Sequence, residues 1–476
     1  MPVQTPLHAE GGVLLVACYE LGHQPLSLAS PLATLRDAGF APAAVDTSVE
    51  TLGDAALQAA HLIAISVPMH TALRLGVQVA ERARAMHPDA TIVFYGLYAT
   101  LNADYLLQRL ADVVVGGEYE QTLLAVAEAL SAGADRETLV IPGARTRTVE
   151  AAPVLRRLPF ATPERASLPA LRQYAHLVNG DAVLPVGYVE ATRGCLHTCL
   201  HCPITPVYGG RFFVVPRTVV LDDIRAQVAA GARHITFGDP DFLNGPGHAL
   251  AITRALHDEF PDVTFDATIK VEHILERPDV IAEFGHLGCA FIVSAVESLS
   301  PNVLRHLAKG HSRADVVEAL RIVEEAGIPL RPTFVAFTPW TTADDYLETL
   351  EFIAERDLVE HVDPVQYTIR LLVPPGSALL DTPDAAEWVG PLDEQSFSYR
   401  WEHVDPRMDT LQREISALVE RAAAANQSIR RTFAEVYALA ERRLGVRIGG
   451  VGSPRIPAVA LAKQRPVPHL TEAWFC

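Results

Sequence analysis

The chain has 476 residues, with 49% hydrophobic and 20% charged residues and a formal net charge of −18. That length exceeds one ordinary core and predicts two or three domains. The acidic balance argues against a nucleic-acid backbone as partner, which would require a basic stripe. The opening MPVQTPLHAEGG lacks a basic stretch followed by an apolar run, so no signal peptide is expected. Apolar runs such as GVLLVAC and HLIAISVP have strand length, far short of a membrane span, so no membrane partner is expected either. The six cysteines (Cys18, Cys195, Cys199, Cys202, Cys289 and Cys476) suit a reducing cytoplasm, where clustered thiols are more often ligands than disulfides.

Residues 12–131 alternate short apolar strands with helix-length segments. GVLLVACY, PAAVDTS, LIAISVP, TIVFYG and DVVVGGE read as buried parallel strands of a doubly wound α/β domain, with ligands expected at their carboxyl ends. No G-x-G-x-x-G follows the first strand, which gives a dinucleotide little support. The Arg- and Pro-rich stretch RTRTVEAAPVLRRLPFATPERASLPA reads as a linker over 145–184. A second series follows over 185–385: PVGYVEAT, HITFGDP, VTFDATIK, AFIVSAVE, PLRPTFVAF and PVQYTIRLL. Six β/α units predict a partial barrel, with chemistry at the carboxyl ends of its strands. Residues 386–476 read as a helical C-terminal region, amphipathic over 407–444, and an extended tail.

Directly after the first barrel strand stands RGCLHTCLHC, with three cysteines in the rhythm C-x3-C-x2-C. Three thiolates with no evident fourth suit a [4Fe–4S] cluster that keeps one iron open. A Cys3His zinc site is the alternative, since His197 and His201 lie between the cysteines; a second ligand pair at a distance, usual for zinc, is missing.

This motif in this place resembles the radical SAM superfamily. The stretches VEATRGCLHTCLHCP, ITFGDPDFLN, AVESLSPNVLRHLAKGHS and IRLLVPPGSALL fall in the order seen in its branch with an N-terminal cobalamin-binding domain. PLSLASPLATLRDAGF and ADVVVGGEYEQTLLAVAEAL in residues 1–144 are also similar to that branch. The resemblance implies that Cys195, Cys199 and Cys202 ligate the cluster and that its open iron binds S-adenosylmethionine. It implies that Glu297, with Ser298 beside it, contacts the nucleoside ribose; the alternative for Glu297 is a helix cap. Lys270 sits where an arginine often faces the methionine carboxylate; the alternative is a solvated lysine. His201 stands where an aromatic residue packs near adenine. Asp239 and Asp241 are candidates for touching substrate, or for capping the helix that follows. Cobalamin is implied by the first domain, against two departures. No D-x-H-x-x-G offers an axial histidine, and FYGLYATL puts Tyr95 and Tyr98 where a corrin needs space.

Cys18 and Cys289 read as small buried hydrophobes. Cys476 ends HLTEAWFC, which resembles the start of the Cys-Cys-Ala-Glu-Pro or selenocysteine-containing tail of one group, cut short within the motif. As a free thiol it is a candidate for substrate capture. The leading expectation is a radical SAM enzyme acting on a small-molecule natural product, by methyl transfer where cobalamin is bound or, without it, by hydrogen abstraction in a rearrangement. It implies an electron donor such as flavodoxin or ferredoxin. Alternatives are transfer of a 3-amino-3-carboxypropyl group to a soft acceptor such as trivalent arsenic, and a zinc-stabilised binding protein without catalysis.

Overall fold

The computed structural model describes residues 5–445 and 467–472. Its first sheet has strand order β2-β1-β3-β4-β5-β6. These strands are Val13–Ala17 (β1), Ala43–Asp46 (β2), Leu62–Ser66 (β3), Thr91–Tyr95 (β4), Val113–Val115 (β5) and Ala144–Arg145 (β6). The first five run parallel and β6 is antiparallel at the edge. β1, β3 and β4 are buried throughout, because helices cover both faces of a parallel sheet and leave no solvated side. Alternate residues feed two cores: Leu14, Ile63 and Phe94 enter one, while Leu15, Ala64 and Tyr95 enter the other. The order reverses between β1 and β3, and at such a switch point the loops diverge and open a crevice.

The second sheet contains the hairpin His176–Asn179 (β7) and Ala182–Val189 (β8), followed by parallel strands His234–Phe237 (β11), Thr264–Thr268 (β12), Cys289–Glu297 (β13) and Leu330–Phe334 (β14). A short antiparallel pair, Thr192–Gly194 (β9) with Phe212–Val214 (β10), brackets the cysteine loop. The sixth expected barrel strand, PVQYTIRLL, is absent as such. Its start is a 3-10 turn, Pro364–Tyr367, and its end makes one parallel bridge from Arg370 to Phe337. Pro364 supplies no N–H, and the Gln366 side chain accepts the Phe334 N–H at 2.9 Å, occupying the edge of β14 that a strand would take. The result is a curled half-barrel.

Helices Pro406–Ala424 and Ile429–Leu444 pack on each other and share the half-barrel's core through Met408, Ile415, Phe433 and Val436. Residues 469–470 return as an antiparallel edge strand on β7, and Tyr19 donates to Glu472 at 3.0 Å. The linker stretch is pinned rather than loose: Arg165 is buried against Asp223 (2.9 and 3.0 Å) and donates to the Tyr188 carbonyl at 2.8 Å. Among the described residues no helix is long and apolar enough to cross a membrane.

Candidate functional site

The cysteine loop starts at a forced turn. Gly194 has φ +77, and a Cβ there would lie 2.5 Å from both the Arg211 carbonyl and the Tyr208 ring, so only glycine brings the chain this close. The Cys195 N–H then donates to Arg211 O (3.1 Å), Leu200 N–H to Leu307 O (3.0 Å), and Cys202 N–H to Cys199 O (3.2 Å). Thr205 locks the turn by donating to the Cys199 carbonyl at 2.8 Å. All three thiols are free, Cys195 and Cys199 buried and Cys202 nearly so. Burial raises the Cys195 thiol and pushes Cys202 up to about 12, each further raised by a neighbouring thiol of the loop. Three crowded thiols, with Cys195 and Cys202 resisting ionisation, are a donor set for a soft, multiply charged metal group, whose binding would expel their protons. The set therefore fits an iron–sulfur cluster. The zinc alternative fares worse, because His197 and His201 each turn Nε2 toward a carboxylate, Asp241 at 3.3 Å and Glu297 at 3.2 Å.

Glu297 ends β13 with φ +63, a conformation uncommon outside glycine, and is 9% exposed. Burial works to raise its carboxyl, but Lys309 (3.5 Å) and His201 outweigh it and hold the group at about 2. Glu297 caps no helix. The N-cap of Pro301–His306 is Ser300, whose N–H is taken by the Ser298 hydroxyl at 3.1 Å. The cap alternative is thus overturned, and Ser298 serves the turn. Sequence reasoning passed over Lys309, a buried lysine two residues before His311 that compensates Glu297.

Asp239 and Asp241 follow β11 and are both buried. Asp239 accepts the Ala191 N–H (3.0 Å) and the Thr192 hydroxyl, holding the approach to the cysteine loop; burial raises its carboxyl to about 7. Asp241 caps the 3-10 turn Phe242–Asn244 and faces His197 and His273. Burial works to raise it too, but the two histidines bring it down to about 2. Asn244 accepts the Leu196 N–H at 3.2 Å and lies 3.8 Å from Cys195 Sγ. Lys270 is not a solvated lysine: it is 9% exposed, donates to Glu272 and lies 3.0 Å from His197 Nδ1. His273 and Glu272 escaped the sequence reading because their meaning depends on a fold that brings three loops together. Cys18 and Cys289 are buried as expected, and Cys476 lies outside the described residues.

A cavity of about 180 Å³ separates the carboxyl edges of the two sheets. The first domain lines it with Glu20, Ser66, Met69, Gly96, Gly117 and Tyr119, from the loops after β1, β3, β4 and β5. The barrel side supplies Glu190, Arg193, Gly194 and Tyr208, which abut the cysteine loop. Arg193 ties the sides together, 2.6 Å from Glu120, 3.0 Å from Glu190 and 3.3 Å from Glu118. The obstruction expected from Tyr95 and Tyr98 is not there. Tyr95 points into one core and donates to the Ser27 carbonyl at 2.8 Å; Tyr98 packs in the other, and neither lines the cavity. A flat ring system entering along the β3–β5 loops meets Ser66, Gly96 and Gly117, with Met69, Leu97 and Tyr119 as larger walls. The nearby His23 is stacked on Tyr188 with ring centroids 4.8 Å apart, outside the lining, so it offers no axial nitrogen. The lining fits a cobalamin held without a protein histidine.

Residues 189–353 match the Radical SAM superfamily and residues 12–127 match the B12 binding domain. The chain carries a radical SAM domain behind a B12-binding domain. The radical SAM domain implies a [4Fe–4S] cluster and S-adenosylmethionine, and the B12-binding domain ahead of it implies cobalamin. Relatives include an uncharacterized methyltransferase of Pyrococcus horikoshii, 24% identical over 300 residues, covering 61% of this chain and 62% of that protein. The hopanoid C-3 methylase of Methylococcus capsulatus is 23% identical over 326 residues, covering 67% of this chain and 62% of the relative. The chain therefore spans less than two thirds of these relatives' length. Among solved structures, the cobalamin-dependent S-adenosylmethionine radical enzyme OxsB with aqua-cobalamin bound superposes with TM-score 0.70 at 17% identity, over 91% of this chain and 71% of that one. The methyltransferase TsrM of Kitasatospora setae, with cobalamin and cluster bound, gives 0.57 at 20% identity over 72% and 70%. At these identities the likeness is one of fold.

Proposed function

We propose that this chain is a cobalamin-dependent radical SAM methyltransferase whose acceptor is a small molecule. The observation that carries the reading is the cavity: loops of the B12-binding domain and the residues leading into Cys195 face each other across it. When bound, the cluster supplies one electron to S-adenosylmethionine and the corrin carries the methyl group. Cys195, Cys199 and Cys202 hold three irons as thiolates. Glu297, kept ionised by Lys309 and His201, accepts the two ribose hydroxyls of S-adenosylmethionine. His201 thereby stands at the nucleoside, as the family resemblance implies. Lys270, balanced by Glu272, offers its ammonium to the methionine carboxylate. Asp239 and Asp241 hold the loops on either side of the site, so they position rather than react.

Relatives that bear methylase names favour methyl transfer over the other readings. Aminocarboxypropyl transfer rested on Cys476, and the zinc-binding reading on histidines that face carboxylates instead. The test is expression with hydroxocobalamin, anaerobic cluster reconstitution, and assay of S-adenosylmethionine cleavage. Stoichiometric corrin and formation of S-adenosylhomocysteine are expected. A chain that binds no corrin and forms only methylthioadenosine would refute the reading.

A further inference from the structure

His197, Asp241 and His273 come from three segments: the cysteine loop, the turn after β11 and the helix Val271–Glu276 after β12. Their ligand atoms nevertheless lie within 4.8 Å of one another. Asp241 Oδ2 is 2.7 Å from His273 Nδ1 and 3.3 Å from His197 Nε2. These three buried atoms make no strictly aligned hydrogen bond, and the two imidazoles act on the Asp241 carboxyl as charge partners from separate segments. The rings are not stacked either, being tilted by 55° at 4.9 Å. Asp241 is 2% exposed, so water does not supply what the geometry omits. One carboxylate oxygen thus gathers two ring nitrogens from separate segments, as the ligands of a single cation are gathered.

We propose that His197, Asp241 and His273 form a second metal site, separate from the cluster, for a divalent transition ion such as zinc. Two imidazoles and one carboxylate are an intermediate donor set that suits Zn²⁺, Fe²⁺ or Co²⁺ and disfavours Mg²⁺ and Ca²⁺, which prefer all-oxygen shells. Three protein ligands leave a coordination position open. With the metal on Nε2, the His197 ring carries its proton on Nδ1, and the carboxylate nearest that nitrogen is Glu272, whose Oε2 lies 3.7 Å away. Lys270, 3.0 Å from that nitrogen, then donates to Glu272 and keeps its other protons for the methionine carboxylate. The ion would join the cysteine loop to the ends of β11 and β12.

The test counts metals and needs no turnover. Cluster-loaded chain is dialysed anaerobically against micromolar zinc chloride, desalted, and analysed for zinc and iron together. Wild type should retain roughly one zinc per chain beside its cluster iron, as a three-ligand site does. His273→Ala and Asp241→Asn should each lose that zinc while keeping their iron. Zinc absorption spectroscopy on the wild type adds a reading independent of variant folding: nitrogen and oxygen neighbours are expected, and sulfur neighbours would place the zinc on the cysteines. Equal zinc in wild type and both variants, or sulfur scattering, overturns the proposal. Weakened S-adenosylmethionine binding in His273→Ala with no zinc in any form would overturn it too, making the three residues a cofactor contact.

Discussion

Arg193 is where the two domains and the cysteine loop depend on one charge. It stands two residues before Cys195 and is 8% exposed, and its guanidinium meets Glu118 and Glu120 of the first domain and Glu190 of the barrel. The rings of Tyr119 and Phe160 lie over it at 5.4 and 5.1 Å. Arg193→Met keeps the length and apolar contact but leaves the buried Glu118 and Glu120 and the half-buried Glu190 without their cation. Each such pair is worth about 4 kcal/mol at an effective dielectric constant near 20. The pairs are not additive, and removing one partner of a buried ion pair costs about 3–5 kcal/mol. For a unit of 150–250 residues that lowers Tm by roughly 6–20 °C. Burial already raises Glu118, to about 7, and Glu190, so without Arg193 both would favour the protonated form more strongly. Groups raised in the folded state stabilise at low pH and lose that contribution as pH rises, so the deficit should shrink from about pH 8 to about pH 5.5. Differential scanning calorimetry at both pH values, with tryptophan fluorescence to separate the domains, measures this. A Tm within about 2 °C of wild type at pH 8, or a deficit that grows on acidification, would refute the argument.

Replacing any one of Cys195, Cys199 or Cys202 by Ala should abolish both the visible charge-transfer absorbance of the reconstituted cluster and S-adenosylmethionine cleavage. A variant with a full cluster and turnover would remove that residue from the ligand set. Glu297→Gln should weaken S-adenosylmethionine binding by about 1.5–3 kcal/mol, or roughly 10–150-fold, with iron content unchanged; calorimetric titration decides it. Asp239, raised to about 7 by burial, makes the wild type less stable as pH climbs from its unfolded value near 4 through 7. Asp239→Asn retains an acceptor for the Ala191 N–H and a donor toward Thr192, so its Tm relative to wild type should rise between about pH 5 and about pH 8. A constant difference across that range would show that Asp239 stays ionised.

Much of the architecture was legible in the sequence because buried parallel strands are locally written. VLLVA, LIAIS and TIVFY are continuous apolar runs of strand length, and helix-length segments between them leave a parallel sheet as the simplest packing. The cysteine triplet was legible for a similar reason: ligands for one cluster must lie within a few residues when one loop wraps it. The sixth barrel strand was misjudged because PVQYTIRLL has the right composition, while the Gln366 side chain takes the β14 edge, a choice made by tertiary contact. Local pattern could not decide whether Tyr95 and Tyr98 obstruct the cavity, since only the packing of β4 against the two cores sets where those rings point. Nor could it reveal the Glu297–Lys309 pair, the Arg193 cluster or the convergence of His197, Asp241 and His273. Apart from Glu190, three residues from Arg193, these charges and ring nitrogens lie 12 to 76 residues apart and carry no periodic signature, and they meet only because the sheets bring strand ends together. Backbone periodicity is a local property of the chain; electrostatic pairing across loops belongs to the folded molecule alone.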